Sequence, residues 1–258
     1  MIFDWLRDRR RARLLEEPFP SDWLEQLPRW VPVYGKLPAA EQAELRNLVQ
    51  VFVAEKNWTA AGGLELTDEV RVTIASFACL IILGLPHFLY ENVETIIVYP
   101  SAVRAPLREP SPFAQSLVPV PNERPALLGE AHLHGPVILV WDAVRRARHP
   151  ERGHNVVFHE FAHQLDMLDG RADGAPPLHA REDYERYSAV CQREFEGLRR
   201  AAERGAPSFL DQYGATNEAE FFAVATEFFF DEPQEMQQRH PDLYEVLGQF
   251  YRLDPAAW

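Results

Sequence analysis

The chain has 258 residues, enough to bury a sizeable core in one large domain or in one domain with an extension. Hydrophobic residues make up 47% and charged residues 25%, which excludes a disordered or fibrous chain. A formal net charge of −13 argues against nucleic acid and anionic membranes as general partners, and two cysteines, Cys79 and Cys191, are too few for a disulfide framework.

The first 36 residues read as an N-terminal arm, a short helix followed by a Pro- and Trp-rich connector, with the main domain over residues 37–258. Arg7, Arg9, Arg10, Arg11 and Arg13 interrupt the acidity and read as a solvated helix face. They stand where a secretory signal would place its apolar stretch, so with two unpaired thiols a reducing, cytoplasmic setting is expected. Leu45, Leu48, Val49 and Phe52 recur at helical spacing and predict an amphipathic helix over 39–56. Thr67 is a candidate cap for the next helix, with Asp68 and Glu69 in its first turn. That helix runs through Ala75, Cys79 and Ile82 to a stop at Gly84-Leu85-Pro86. The uncharged run 72–90 is interrupted by Gly84, Pro86 and His87, so it reads as a buried helix and not a membrane span.

Residues 94–99 (ETIIVY) and 135–141 (GPVILVW) read as strands, separated by a Pro-rich loop over 101–125. The second strand is a candidate sheet edge, on which an extended peptide could pair. Helices are expected over about 153–168, 181–204, 216–231 and 241–251. Helices, a small sheet, then helices again predict an α+β domain.

The chemistry is concentrated in His159-Glu160-Phe161-Ala162-His163, set in an apolar context of Val156, Val157, Phe158 and Leu165. Helix positions four apart lie about 40° apart around the axis, so both imidazoles project from one face and can reach one ion. Glu160 is rotated about 100° from His159 and flanks the metal, where a base for an activated water must sit. The plain alternative is two surface histidines one turn apart. With nine histidines, chance produces His-Glu-x-x-His only about 0.03 times per chain of this composition, which disfavours that alternative. A catalytic zinc takes three protein ligands and a water. Asp169 supplies the third only if the chain turns sharply at Asp166; the helix containing Glu220, Ala223, Val224 and Glu227 on one face offers another carboxylate, and Glu220 is favoured. Glu227 is a candidate orienter of a ligand histidine, or else a member of an ordinary ion pair; Asp166 is a weaker candidate orienter.

The runs HEFAHQLDMLDGRADGAP (159–176) and YGATNEAEFFAVATEFFFDEP (213–233) resemble the Mlc titration factor A family of bacterial zinc peptidases. The likeness extends to 63–85 and 127–144, so it covers most of the chain from about residue 60. The resemblance implies a gluzincin with one Zn2+ on His159, His163 and Glu220, and with Glu160 as base. It implies that Tyr213 supports the oxyanion, a role its position alone would not suggest. It further implies a zincin-like fold similar to the catalytic domain of anthrax lethal factor, a cytoplasmic location, peptide substrates with aminopeptidase action, and binding to the Mlc repressor. Some members place a further histidine ahead of the GEA segment. Here residues 116–121 hold none, and His132 and His134 are the nearby alternatives. The competing reading is a regulatory binding module with a structural or vestigial zinc site. Glu160 favours the enzyme, since a purely structural site needs no base.

Overall fold

The computed structural model describes residues 2–86, 90–101, 129–130, 135–148, 154–178 and 181–258. His132, His134, residues 116–121 and nearly all of the expected 101–125 loop lie outside the described residues.

The arginine-rich start folds as helix α1 (Ile2–Glu16), followed by α2 (Ser21–Trp30) and α3 (Ala39–Glu55). Charge pairs tie α1 to the body: Arg11 donates twice to the Glu55 carboxylate at 2.9 and 2.8 Å, and Arg7 meets Glu91 at 2.6 Å. The stretch expected as a connector is partly helical. Trp23, Leu27 and Trp30 share a side of α2 and pack on the core, and the Trp23 indole donates to Asp68 at 2.9 Å. In α3 the predicted positions Leu45, Leu48, Val49 and Phe52 are buried.

Strand β1 (Asn57–Ala60) follows, a four-residue segment that sequence patterning missed. Helix α4 (Asp68–Leu80) is the buried centre: Thr67 caps it by accepting from Val70 N at 3.4 Å, and Val72 through Leu80 are all buried. Hydrogen-bonded turns replace the helix after Leu80, slightly before the expected stop. Among the described residues no helix is long and apolar enough to cross a membrane.

Strands β2 (Thr95–Tyr99), β3 (Gly129–Glu130) and β4 (Val137–Val140) complete the small sheet. Its order is β1-β2-β4-β3; β1, β2 and β4 are parallel, and β3 is antiparallel to β4. Ile97 pairs with Ile138 on one side of β4, and Glu130 pairs with Ile138 on the other. The expectation that the 135–141 strand is a free edge is therefore overturned. Val137, Leu139 and Val140 are buried, as suits an internal strand. Trp141 does not end the strand but begins helix α5 (Trp141–Arg146), which follows without an intervening loop.

The remaining helices are α6 (Val156–Asp166), α7 (Arg181–Glu203), α8 (Glu218–Asp231), α9 (Pro233–Arg239) and α10 (Pro241–Tyr251). The architecture is a mixed α+β one, mostly helical with a small sheet. Aromatic contacts seat α6 in the core: Phe158 meets Phe77 at 5.4 Å and Phe230 at 5.1 Å, and Phe161 meets Tyr90 at 4.7 Å and Phe52 at 5.8 Å between ring centroids.

Gly84 lets the turn after α4 touch the end of α10. A Cβ there would stand 2.3 Å from the Tyr251 carbonyl oxygen and 2.8 Å from that of Arg252. Both obstacles are backbone, so Gly84→Ala is expected to destabilise the protein by about 1–3 kcal/mol, read as a lower urea midpoint with an unchanged slope. A midpoint equal to wild type would refute this close packing.

Candidate metal centre

Helix α6 begins at Asn155, whose side-chain oxygen accepts from Val157 N at 3.1 Å and Phe158 N at 3.3 Å. An Asn ahead of an apolar helix is a start signal that sequence inspection could have found. Every residue of α6 is buried except His159 and His163. The helix therefore opens only through the two motif imidazoles, which lie one turn apart with ring centroids separated by 4.9 Å.

Helix α8 packs along α6 and brings the third group. Asn217 caps α8 by accepting from Glu220 N at 2.9 Å. Glu220 Oε2 lies 3.0 Å from His159 Nε2 and 3.4 Å from His163 Nε2, and the two Nε2 atoms are 3.3 Å apart. Among the described residues this is the one group of three His, Cys, Asp or Glu side chains able to hold a metal ion. Ligands ~2.0–2.1 Å from a tetrahedral ion such as zinc stand about 3.3–3.4 Å from each other. The three observed edges are close to one face of such a tetrahedron, so the donor set fits a small divalent cation.

Protonation reinforces that fit. His159 Nδ1 is 2.7 Å from Glu227 Oε1, and Glu227 is buried. With its proton on Nδ1, a neutral His159 presents a bare Nε2 lone pair to the Glu220 carboxylate. Two acceptors 3.0 Å apart repel unless a cation or a proton lies between them. Without metal, burial opposes charge on His159, but hydrogen bonds to Glu220 and Glu227 overcome it and carry its pKa up to about 10. Burial likewise works against charge on Glu220, yet the two imidazoles hold its pKa far below the usual carboxylate range. For Glu227 burial dominates and raises its pKa, with His159 opposing.

Glu160 is 5% exposed and sits on the flank of α6. Its charge raises the pKa of both His159 and Tyr213, so it lies close to the centre. Tyr213 belongs to a short 3-10 turn, Gln212–Ala215, whose start is fixed by Asp211 Oδ1 accepting from Tyr213 N at 2.7 Å. Its ring is 5.9 Å from that of His159 and is half exposed. Burial and the Glu220 charge push the phenol up to about 12, so it stays a hydrogen-bond donor at neutral pH.

The other candidates separate clearly. Glu227 is in contact with His159, as an orienter requires. Asp169 is exposed and accepts from Arg171 N at 3.0 Å, away from the centre; helix α6 continues through Asp166, and the chain turns only at Gly170. Asp166 does not meet an imidazole in any described contact. It is buried and accepts from Gly174 N at 3.0 Å. Gly174, at φ +74°, lies against Glu218, where a Cβ would stand 2.3 Å from the carbonyl oxygen. This brace links the end of α6 to the start of α8.

Metal binding at His159 Nε2 must displace the proton that the metal-free site holds up to about pH 10. Metal affinity is therefore expected to climb as pH rises from 6 to 9, with proton release seen by calorimetry in buffers of different ionisation heat. A pH-independent affinity without proton release would contradict this electrostatic picture.

Comparison with known proteins agrees with the site. An uncharacterized protein of Synechocystis sp. is 39% identical over 256 residues, covering 97% of this chain and 90% of its own length. Mlc titration factor A of Salmonella arizonae is 32% identical over 241 residues, covering 92% of this chain and 93% of the relative. Mlc titration factor A of Klebsiella pneumoniae is 32% identical over 234 residues, covering 88% and 84%. The model of the glucose-regulated metallo-peptidase M90 family matches residues 5–252, starting well before the residue-60 onset of the likeness read from motifs. With nearly its whole length matched and a His-His-Glu triangle formed between α6 and α8, the chain belongs to the glucose-regulated metallo-peptidase M90 family.

Proposed function

We propose that this protein is a zinc-dependent peptidase of aminopeptidase type, with His159, His163 and Glu220 as the metal ligands. The observation that carries this reading is the triangle of 3.0, 3.3 and 3.4 Å between their donor atoms, beside the buried Glu160. Zinc held there supplies Lewis acidity, drawing the pKa of a water toward ~7 and polarising the scissile carbonyl.

The chain's own groups do the rest. The Glu160 carboxylate accepts the proton of the attacking water and passes it to the leaving amine nitrogen. The Tyr213 phenol donates a hydrogen bond to the oxyanion that forms as the carbonyl becomes tetrahedral. Glu227 holds the proton on His159 Nδ1 and so keeps the Nε2 lone pair turned to the metal. Residues 37–258 are the metallopeptidase domain in this reading, zincin-like with α6 as the active-site helix, and residues 1–36 are an arm. A cytoplasmic setting is part of the proposal, supported by the free thiols Cys79 and Cys191.

Glu160→Gln is expected to retain zinc at about one per chain while losing roughly 10²–10⁴-fold in peptide hydrolysis. Tyr213→Phe is expected to lower kcat by about 10²–10³-fold with zinc content unchanged. Hydrolysis by E160Q at the wild-type rate would sink the peptidase assignment.

The names of the Salmonella and Klebsiella relatives favour a second role, titration of Mlc. We include the Mlc repressor as a partner, and the protein then acts in regulation by binding as well as by hydrolysis. Purified Mlc is expected to co-elute with this chain in size-exclusion chromatography. Separate elution at micromolar concentrations of both would remove that partner. Co-elution together with a catalytically silent wild type would instead favour a binding module with a structural or vestigial zinc site.

A further inference from the structure

Tyr213 stands beside the metal centre with little support for its own ring. The side chain is half exposed, and among the described residues its one ring contact is with His159, at 5.9 Å and tilted by 40°. Such a ring keeps its direction only as well as its backbone is held. Here the backbone is held on both sides. The N–H of Tyr213 donates to Asp211 Oδ1 at 2.7 Å, and its carbonyl accepts from Thr216 Oγ1 at 2.6 Å and from Thr216 N at 3.1 Å. Gly214 N closes the turn on the Asp211 carbonyl at 3.1 Å, and Gly214 is buried against Leu198 of α7 and Val224 of α8.

The residue types suit this task. An Asp two positions before the tyrosine accepts from the backbone in an Asx-turn, and a Thr hydroxyl three positions after it donates back to a carbonyl. With the peptide groups on both sides of Tyr213 fixed, only the side-chain torsions remain to direct the phenol. Asp211 Oδ2 stands 3.7 Å from His154 Nε2, a pair too long and too exposed to add much. The part of Asp211 that matters is Oδ1, an acceptor that an asparagine would also supply.

We propose that Asp211 and Thr216 are positioning residues for the reaction: they pin the Tyr213 backbone from its two sides and so hold the phenol where the oxyanion forms. The proposal rests on the reading that Tyr213 donates to that oxyanion. Neither residue belongs to the His159, His163 and Glu220 triangle, so the chemical step depends on them and zinc binding does not.

The test is a double-mutant cycle against Tyr213→Phe in the full-length, zinc-loaded protein. Asp211→Ala removes one pin and Thr216→Val the other. Together they are expected to lower kcat about 10–30-fold, with KM changed by less than about twofold and zinc affinity unchanged. In a Y213F background the same pair is expected to cost less than about twofold more, because no phenol is left to aim. Asp211→Asn and Thr216→Ser, which keep the acceptor and the hydroxyl, are expected to run within about threefold of wild type. A dipeptide phosphonate, whose tetrahedral anionic centre imitates the transition state, is expected to bind D211A/T216V about 10–30-fold more weakly by calorimetry. Circular dichroism and thermal melting establish that each variant compared is folded, and T216V alone serves if the pair does not fold.

Wild-type kcat and phosphonate affinity in the folded pin variants overturn the proposal. An equal loss with and without the Tyr213 phenol marks a general structural fault and overturns it too. A wild type that hydrolyses no peptide, or a Y213F variant at full kcat, defeats instead the reading on which the proposal rests. That failure is recognised before either pin is removed.

Discussion

The face-to-face packing of α6 and α8 is the constraint on which the rest of the molecule depends. Helix α6 carries two imidazoles one turn apart, and α8 carries the carboxylates that meet them, Glu220 at 3.0 Å from His159 Nε2 and Glu227 at 2.7 Å from His159 Nδ1. One ring is thus held at both nitrogens by residues two turns apart on a single partner helix. A slide of α8 by one residue, about 1.5 Å, would spoil both contacts together. The surroundings resist such a slide. Phe158 wedges against Phe230 of α8, and Gly174 lies against the Glu218 backbone with no room for a side chain. The caps Asn155 and Asn217 define where each helix begins, and so set the angular phase of His159, His163 and Glu220 around each axis.

Charge explains why this arrangement suits a cation. Glu160, Glu220 and Glu227 crowd two histidines in a region mostly shielded from water, and Asp231 lies a turn further along α8. Buried carboxylates at this density repel one another and pay desolvation besides. Protonation of His159 relieves part of that burden in the metal-free protein, and a divalent ion relieves more. Burial, with the charges of Glu220 and Glu160 adding to it, raises the Tyr213 phenol further above its ordinary range, so a phenolic donor stands beside the acidic cluster.

The parts of the fold that were legible in the sequence are those where one helix face meets a core. Leu45, Leu48, Val49 and Phe52 in α3, and the capped run from Thr67 to Leu80, carry periodicity strong enough to locate them. The short elements were not legible. β1 has four residues, of which Trp58 alone is apolar and large, so no alternation could emerge. Trp141 continues an apolar run and looks like strand, but the chain turns into α5 there, a change governed by packing around it and not by its own preference. Whether the strand at 137–140 lay at an edge was equally hidden, because pairing with Gly129 and Glu130 is a non-local fact.

At the site, the sequence by itself determined that two imidazoles share a helical face with an acid on the flank, since that follows from the 3.6-residue repeat. It favoured a carboxylate on a later helix as the third metal-binding group but left Asp169 open, because spacing alone does not say whether the chain turns at Asp166. Tertiary structure alone decided that Glu220 stands within 3.4 Å of both rings, and that Glu227 turns inward to His159 while Asp166 braces Gly174. The physical reason is range. Helical geometry acts over a single turn and is written in spacing, whereas the meeting of groups more than 60 positions apart is set by how α6 and α8 pack through their shared apolar faces.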